Sequence, residues 1–397
     1  MNLKMSKINQ VIIFAGGLGT RLHPLTKECP KPLININGKP FIFYIIDRLI
    51  NQKIKEIILL TGYRFEDFNF IFDCYKNIDI KIINTPLEYQ TSLRILDIRN
   101  LLDDYFYIFY GDNFWPFNLQ ELEKSFFRSK TDAQIVIYKN DDKYSISNIE
   151  IDDNNFVIKY DKYREGLSCN YVDIGFGIFQ KKHILLLDHN ENVGFEKIIY
   201  DKLLINRQIK SYVTLHRYYT LTNLKRLPSL QRILSNQKYV FLDRDGIINI
   251  KPPAGKYLKH ISDFKWRDNI LELFKFFRQK DIRVIVLTNQ AGISKGDISY
   301  AELDMIHNHI QSELFKINCK IEIFFCCPHH WDENCFCRKP NPGLLYQAQK
   351  LFDINLTDSY FFGDSESDVL AASNASAKGI LIHNEENIYE TIKKYYR

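Results

Sequence analysis

The sequence predicts an α/β protein made of two doubly wound, Rossmann-like units, and three observations carry that prediction. Short apolar runs typical of buried parallel strands occur at 10–15 (QVIIFA), 56–61 (EIILLT), 105–110 (YFYIFY) and 134–138 (QIVIY), with helix-length segments at 39–53 and 91–102 between them. The rhythm restarts at 238–243 (KYVFLD), 282–288, 321–326 and 359–362, alternating with amphipathic segments at 268–280 and 343–352. Between the two sets, LKRLPSLQRILSNQ reads as a helix that ends in the polar turn Ser235-Asn236-Gln237. Domains are therefore expected at 9–234 and 238–397.

A length of 397 residues suits two domains at roughly 100 to 200 residues each. Hydrophobic residues make up 45% and charged residues 25%, which excludes a disordered or fibrous chain. The net charge is only +5, and no basic run is interleaved with aromatics, so a nucleic-acid groove is not expected. The apolar run after MNLKMSKINQ is too short for a signal-peptide core or a membrane span, so a cytoplasmic protein without membrane partners is expected. Cys29, Cys74, Cys169 and Cys319 are scattered and read as reduced core residues, whereas Cys326, Cys327, Cys335 and Cys337 crowd into one stretch that suggests metal.

In the second half, the strand KYVFLD runs into DRDG, which puts Asp243 and Asp245 at the carboxyl end of a parallel strand, where such sheets bind ligands. Two acids at alternate positions can share a Mg²⁺, one attacking phosphorus while the other protonates the leaving oxygen. DRDG alone is equally a common Asp- and Gly-rich turn. Later strands end in LTNQ, with Thr288 and Asn289 to hold phosphoryl oxygens, and in FFGDSESD, with Asp364 as a further Mg²⁺ ligand. RKP adds Lys339 as a fixed positive charge, and Asp368 either steers a metal-bound water or solvates a helix start. In CPHHWDENCFC, Cys327, His329, Cys335 and Cys337 form a complete set of four soft ligands for a closed, structural Zn²⁺ site.

Together these motifs resemble the haloacid dehalogenase superfamily of phosphatases over 238–397. The resemblance implies that Asp243 forms an aspartyl-phosphate, that Asp245 is the general acid/base and that Asn289, Gln290 and Arg338 bind substrate. With the zinc loop, the segment is similar to the D-glycero-D-manno-heptose 1,7-bisphosphate phosphatases and, nearly as closely, to the histidinol-phosphate phosphatases. In both, the segment after DRDG, here Lys251 to Tyr257, closes over the substrate.

The first half opens with FAGGLGTRLHPLTKECPKPL, a glycine-rich loop whose backbone amides can wrap a triphosphate, followed by Arg21 and Lys31 to neutralise it. This pattern resembles the sugar-1-phosphate nucleotidyltransferases over 9–234. The resemblance implies a nucleoside triphosphate and a phosphorylated sugar as partners, with Gly16, Gly17, Gly19 and Thr20 on the nucleotide and Arg21 and Lys31 catalytic. It also implies Asp112 on Mg²⁺, Asp161 and Lys162 at the sugar phosphate, and Asp173 on sugar hydroxyls. Two departures stand out: LEYQTS at 87–92 replaces a glycine-rich loop beside the base, and Thr220 stands near the place of a late acidic metal contact. They leave open a reading in which this half binds a nucleotide sugar without turnover, beside a phosphatase of the histidinol-phosphate type. The pairing of domains favours the heptose reading, because a heptose 1,7-bisphosphate that loses its 7-phosphate leaves the 1-phosphate a transferase would use.

Overall fold

Every residue of the first strand, Gln10–Phe14, is buried, because its sheet is covered on both faces. Val11 and Ile13 enter one core while Ile12 and Phe14 enter another, as the two-residue period of a strand requires. The computed structural model describes residues 7–161, 169–253 and 255–396. The chain divides into two compact units between Leu234 and Ser235.

The first unit is built on a nine-stranded sheet. Asp79–Asn84, Glu56–Thr61, Gln10–Phe14 and Tyr105–Tyr110 run parallel as neighbours. Tyr171–Gln180 then joins Tyr105–Tyr110 antiparallel and pairs on its other side with Ala133–Lys139, which Ile209–Thr214 extends in parallel. The pairing of Tyr171–Gln180 with Ala133–Lys139 shifts register between Asp173 and Gly177, and such a bulge re-aims side chains near a site. The helix Phe41–Asn51 buries Phe41, Ile42, Ile45, Ile46 and Leu49 against the sheet, the stripe expected of a 3.6-residue period.

The second unit has a five-stranded, all-parallel sheet in the order Ile323–Cys327, Ile282–Asn289, Lys238–Leu242, Tyr360–Gly363, Lys378–Leu381. Lys238–Leu242 is central, so its carboxyl end is flanked by the ends of Ile282–Asn289 and Tyr360–Gly363. The helices Ile270–Gln279 and Gly343–Phe352 lie on segments whose apolar periodicity marks them as helices in the sequence. Asp79–Asn84 and Lys378–Leu381 are edge strands with mixed burial, which is why neither shows as an apolar run. No described helix is long and apolar enough to cross a membrane.

Candidate active sites

In the second unit, the chain after Lys238–Leu242 is tied to the neighbouring strand by the Asp243 amide, which donates to the Phe362 carbonyl at 3.0 Å. Gly246 turns the chain with φ +91°, and a Cβ there would lie 2.1 Å from Asp364 Oδ2, so only glycine admits the close approach of the two loops. The guanidinium of Arg267 holds this turn from behind, donating to the Gly246 carbonyl and, at 2.6 Å, to the His383 carbonyl.

Carboxylate oxygens of Asp243, Asp364 and Asp368 lie within 4.8 Å of one another. Lys339 Nζ stands between two of them, 2.8 Å from Asp243 Oδ1 and 2.6 Å from Asp368 Oδ1, and donates to the Leu287 carbonyl at 3.0 Å. Lys251 Nζ, half-exposed, pairs with Asp364 at 2.8 Å. Burial pushes the Asp243 carboxyl up to about 7, with Asp368 and Asp245 adding to the rise against the pull of Lys339. Burial alone would lower the ammonium of Lys339, but Asp243 and Asp368 outweigh it and hold the group above its ordinary value. Three carboxylates against two ammonium groups leave a net negative charge in a buried place, and a divalent cation is the natural counter-charge for it. Asp368 does two things, because its Oδ2 also caps the helix Glu366–Asn374 by accepting from the Ser365 amide at 3.1 Å.

Asp245, expected to share a cation with Asp243, has its side-chain oxygens outside this trio. Its Oδ2 accepts from Arg244 at 2.8 Å and from Gln290 at 2.8 Å, and its Oδ1 accepts from Asn249 at 3.0 Å. Burial would raise its carboxyl, but the Arg244 guanidinium and these amides hold it below the usual carboxylate range. Arg244 is itself fully buried and its Nη1 lies 3.3 Å from His307 Nε2. Burial, reinforced by Arg244, lowers His307 to about 3, so it is a neutral ring, stacked on Phe324.

A cavity of about 220 Å³ opens onto Asp243, Asp245, Thr288, Asn289, Lys339 and Asp364, with Lys251 and Tyr257 of the segment after DRDG on its rim. Two residues expected to hold substrate are otherwise engaged. Gln290 is fully buried, its Nε2 donates to Asp245 and, at 2.9 Å, to Thr288 Oγ1, and it does not line the cavity. Asn289 clamps the main chain of Lys339 by a reciprocal pair, Nδ2 to the Lys339 carbonyl and the Lys339 amide to Oδ1, both 3.1 Å. Arg338 donates to the His329 carbonyl at 3.2 Å and stands outside the cavity wall. Asn289→Ala is expected to lower both the unfolding midpoint of this unit and its phosphatase turnover, because two buried groups lose partners at about 1–3 kcal/mol each. Turnover equal to the parent's would show that Lys339 is positioned by other contacts.

Cys327 Sγ lies 3.5 Å from Cys335 Sγ and 3.7 Å from His329 Nδ1, and Cys337 Sγ lies 3.2 Å from His329 Nδ1 and 3.6 Å from Cys335 Sγ. Tetrahedral Zn²⁺ with bonds of about 2.0–2.3 Å separates its ligand atoms by roughly 3.5–3.8 Å, so the four donors fit that ion. All eight cysteines are free of disulfides.

In the first unit, Gly16 is buried while Gly17, Thr20 and Arg21 are exposed and Gly19 is half-buried with φ +65°. Arg21, Asp112, Asp173 and Thr220 line one cavity of about 880 Å³. Lys31 Nζ pairs with Asp112 Oδ2 at 2.5 Å. Asp173 accepts from the Gly175 amide and the Tyr200 hydroxyl, both at 2.9 Å. Thr220 lies opposite Asn113 in a two-residue ladder, and its hydroxyl bonds to that of Thr222. Lys162 lies outside the described residues. Glu196, which sequence reading passes over, lines the same cavity and accepts from the Tyr110 hydroxyl. Burial raises its carboxyl. Its signal is an acid at the first turn of the helix Phe195–Ile205.

One unit thus presents a glycine-rich loop that leads into Arg21 and a cavity lined by both acids and bases, and the other a buried lysine among carboxylates at the ends of parallel strands. Residues 10–209 match the nucleotidyl transferase family and residues 238–380 match the family described as polynucleotide kinase 3 phosphatase. A D-glycero-beta-D-manno-heptose-1,7-bisphosphate 7-phosphatase of Helicobacter pylori is 37% identical over 38% of this chain and 85% of its own length. A D-glycero-alpha-D-manno-heptose-1,7-bisphosphate 7-phosphatase of Campylobacter jejuni is 38% identical over 38% of this chain and 84% of its own. Among solved structures, HddC from Yersinia pseudotuberculosis is 25% identical, covering 56% of this chain and 100% of that one, with a TM-score of 0.49. The chain belongs to the nucleotidyl transferase family through its first unit and to the haloacid dehalogenase-type heptose-1,7-bisphosphate 7-phosphatases through its second.

Proposed function

We propose that the chain is a bifunctional enzyme of sugar-nucleotide biosynthesis that hydrolyses the 7-phosphate of D-glycero-D-manno-heptose 1,7-bisphosphate and transfers a nucleotidyl group to the heptose 1-phosphate. The observation that carries the phosphatase half is the Asp243, Asp364, Asp368 and Lys339 cluster, in a unit more than a third identical to phosphatases of that substrate. The two relatives differ in anomer, so the anomer is not part of the proposal.

In this reading Asp245 turns from Arg244 towards the cavity, where, freed of the guanidinium, it takes up a proton; Asp243 attacks the phosphorus, the bond from phosphorus to the sugar oxygen breaks, and Asp245 gives its proton to that oxygen. Asp245 then takes a proton from the water that cleaves the aspartyl-phosphate, which restores both carboxyl groups. Lys339 balances the charge of the transferring phosphoryl group, and the Thr288 hydroxyl holds one of its oxygens. Mg²⁺ at Asp243 and Asp364 would neutralise the phosphate dianion so that a carboxylate can approach it. Cys327, His329, Cys335 and Cys337 would hold Zn²⁺ with four protein ligands, which would tie down the loop that leads into Arg338 and Lys339. In the first unit, the amides around Gly16, Gly17 and Gly19 take the triphosphate, Arg21 and Lys31 balance charge at the α-phosphorus, and Asp112 takes the nucleotide's Mg²⁺. Asp173 takes the sugar hydroxyls.

The test is to incubate the protein with heptose 1,7-bisphosphate, Mg²⁺ and each nucleoside triphosphate in turn, and to identify products by mass. Heptose 1-phosphate and an NDP-heptose are expected with at least one nucleotide. Release of phosphate from histidinol phosphate in preference to the bisphosphate would overturn the substrate assignment.

Zinc gives a separate prediction. Elemental analysis is expected to find one tightly bound zinc per chain, and Cys335→Ser or Cys337→Ser should lower the unfolding midpoint of the second unit more than its turnover. Structural zinc contributes on the order of 10 kcal/mol in small peptides and less in a domain with its own core. Purified protein free of zinc would end the assignment.

A further inference from the structure

Arg94 is 5% exposed, on the helix Thr91–Asp97. Its guanidinium spans the carboxyl ends of three adjacent parallel strands. Nη2 reaches the carbonyl of Gly16, just beyond Gln10–Phe14, at 3.4 Å; Nη1 donates at 2.8 Å to the carbonyl of Thr61, which ends Glu56–Thr61, and also to the hydroxyl of Thr85, just beyond Asp79–Asn84. Nε donates to the Tyr89 carbonyl at 2.8 Å, inside the LEYQTS segment. Every one of these acceptors is neutral. Among the described residues no carboxylate forms an ion pair or hydrogen bond with Arg94; the exposed Glu88 is near enough only to oppose the lowering of its guanidinium that burial causes.

A buried cation without an ion-pair partner is costly to keep, and the cost is offset when an anion arrives nearby. The carboxyl ends of parallel strands are where open α/β sheets take ligands, and the Gly16 loop that Arg94 touches is the glycine-rich one whose Gly17, Thr20 and Arg21 are exposed. The packing is specific to this side chain. A Cβ on Gly16 would lie 2.1 Å from Arg94 Nη1, and one on Gly62 would lie 2.9 Å from it, so glycine at both positions makes room for the guanidinium.

We propose that Arg94 is a positioning residue for the nucleoside triphosphate of the transferase: it braces the Gly16 loop from behind and supplies a fixed positive charge beneath the phosphate chain. This rests on the nucleotidyltransferase reading of the first unit. It also gives a role to LEYQTSLR, where a glycine-rich loop beside the base was expected: the segment carries the brace.

The experiment is calorimetric titration of the full chain with each nucleoside triphosphate in Mg²⁺, followed by titration of parent, Arg94→Met and Arg94→Lys with the best-bound triphosphate and its monophosphate. Circular dichroism and phosphatase activity serve as fold controls. Arg94→Met is expected to weaken triphosphate binding at least tenfold and monophosphate binding threefold or less, and Arg94→Lys to recover at least a third of the lost affinity. A purely steric brace predicts equal losses for both nucleotides and no recovery with lysine, and that result would overturn the proposal, as would triphosphate affinity within twofold of the parent in Arg94→Met. If Arg94→Met does not fold, Gly62→Ala, which pushes on the guanidinium, is read by the same criterion: a loss that grows with phosphate number supports the proposal and a uniform or absent loss overturns it. A parent that binds no nucleoside triphosphate overturns the transferase reading together with the proposal, whereas a parent that binds while Arg94→Met is indistinguishable overturns the proposal alone.

Discussion

Asp243→Asn is expected to abolish phosphate release while leaving the second unit folded. The amide has the shape of the carboxylate but cannot form the acyl-phosphate, so the covalent route is closed. A loss of about a thousandfold or more corresponds to roughly 4 kcal/mol of transition-state stabilisation. The fold survives because Lys339 keeps two partners, Asp368 Oδ1 at 2.6 Å and the Leu287 carbonyl at 3.0 Å. Replacing the carboxylate also removes one of three crowded negative charges, a change that favours the folded state. Phosphate release from heptose 1,7-bisphosphate, followed beside an unfolding curve, checks both halves of the statement. Activity within tenfold of the parent would sink the nucleophile assignment.

Arg21→Ala and Lys31→Ala should each lower nucleotidyl transfer by about a hundredfold or more, since in the proposed mechanism each supplies a positive charge at the α-phosphorus. Lys31 carries a second consequence. It is the ion-pair partner of Asp112 at 2.5 Å, so its loss also frees the carboxylate assigned to the nucleotide's cation. Arg21 is exposed, lines the cavity and forms no ion pair among the described residues. The two variants should therefore part company in stability, with Lys31→Ala shifting the unfolding midpoint of the first unit and Arg21→Ala leaving it in place. Pyrophosphate release is the measurement for both, with phosphatase activity as the control, which neither change should touch because the two sites share no residue. A parent protein that releases no pyrophosphate with any nucleoside triphosphate and heptose 1-phosphate, while its phosphatase works, would reassign the first unit as a binding module. Thr220, whose hydroxyl is spent on Thr222, would then be the place to look for the cause.

Much of the architecture can be read from the chain itself. Parallel strands covered on both faces are contiguous apolar runs, and in such sheets the chemistry follows the strand's last residue. That is why KYVFLD-RDG, VIVLTNQ, FFGD and VIIFAGG each announce a strand and a site in one breath. The four candidate zinc ligands are equally local, since Cys327, His329, Cys335 and Cys337 fall within one short stretch.

Edge strands and orientations are another matter. Asp79–Asn84 and Lys378–Leu381 bury only part of their surface and so carry no apolar signature, and the antiparallel entry of Tyr171–Gln180 beside Tyr105–Tyr110 is a pairing between distant segments. Within TNQ, the sequence determined that a hydroxyl and two amides follow the strand. Only the tertiary structure decided that Thr288 and Asn289 line the cavity, that Asn289 spends its amide on the Lys339 main chain, and that Gln290 turns into the core to meet Asp245. Likewise DRDG determined two acids at alternate positions, but the fold brought Asp243 to Lys339 across 96 residues and delivered Asp245 to the buried Arg244 beside His307. The physical reason is one of range. Propensity and periodicity act over a few residues and decide which chemical groups emerge at a strand's end, whereas a buried polar group must find a partner wherever packing supplies one, and that choice is made by contacts the local chain does not encode.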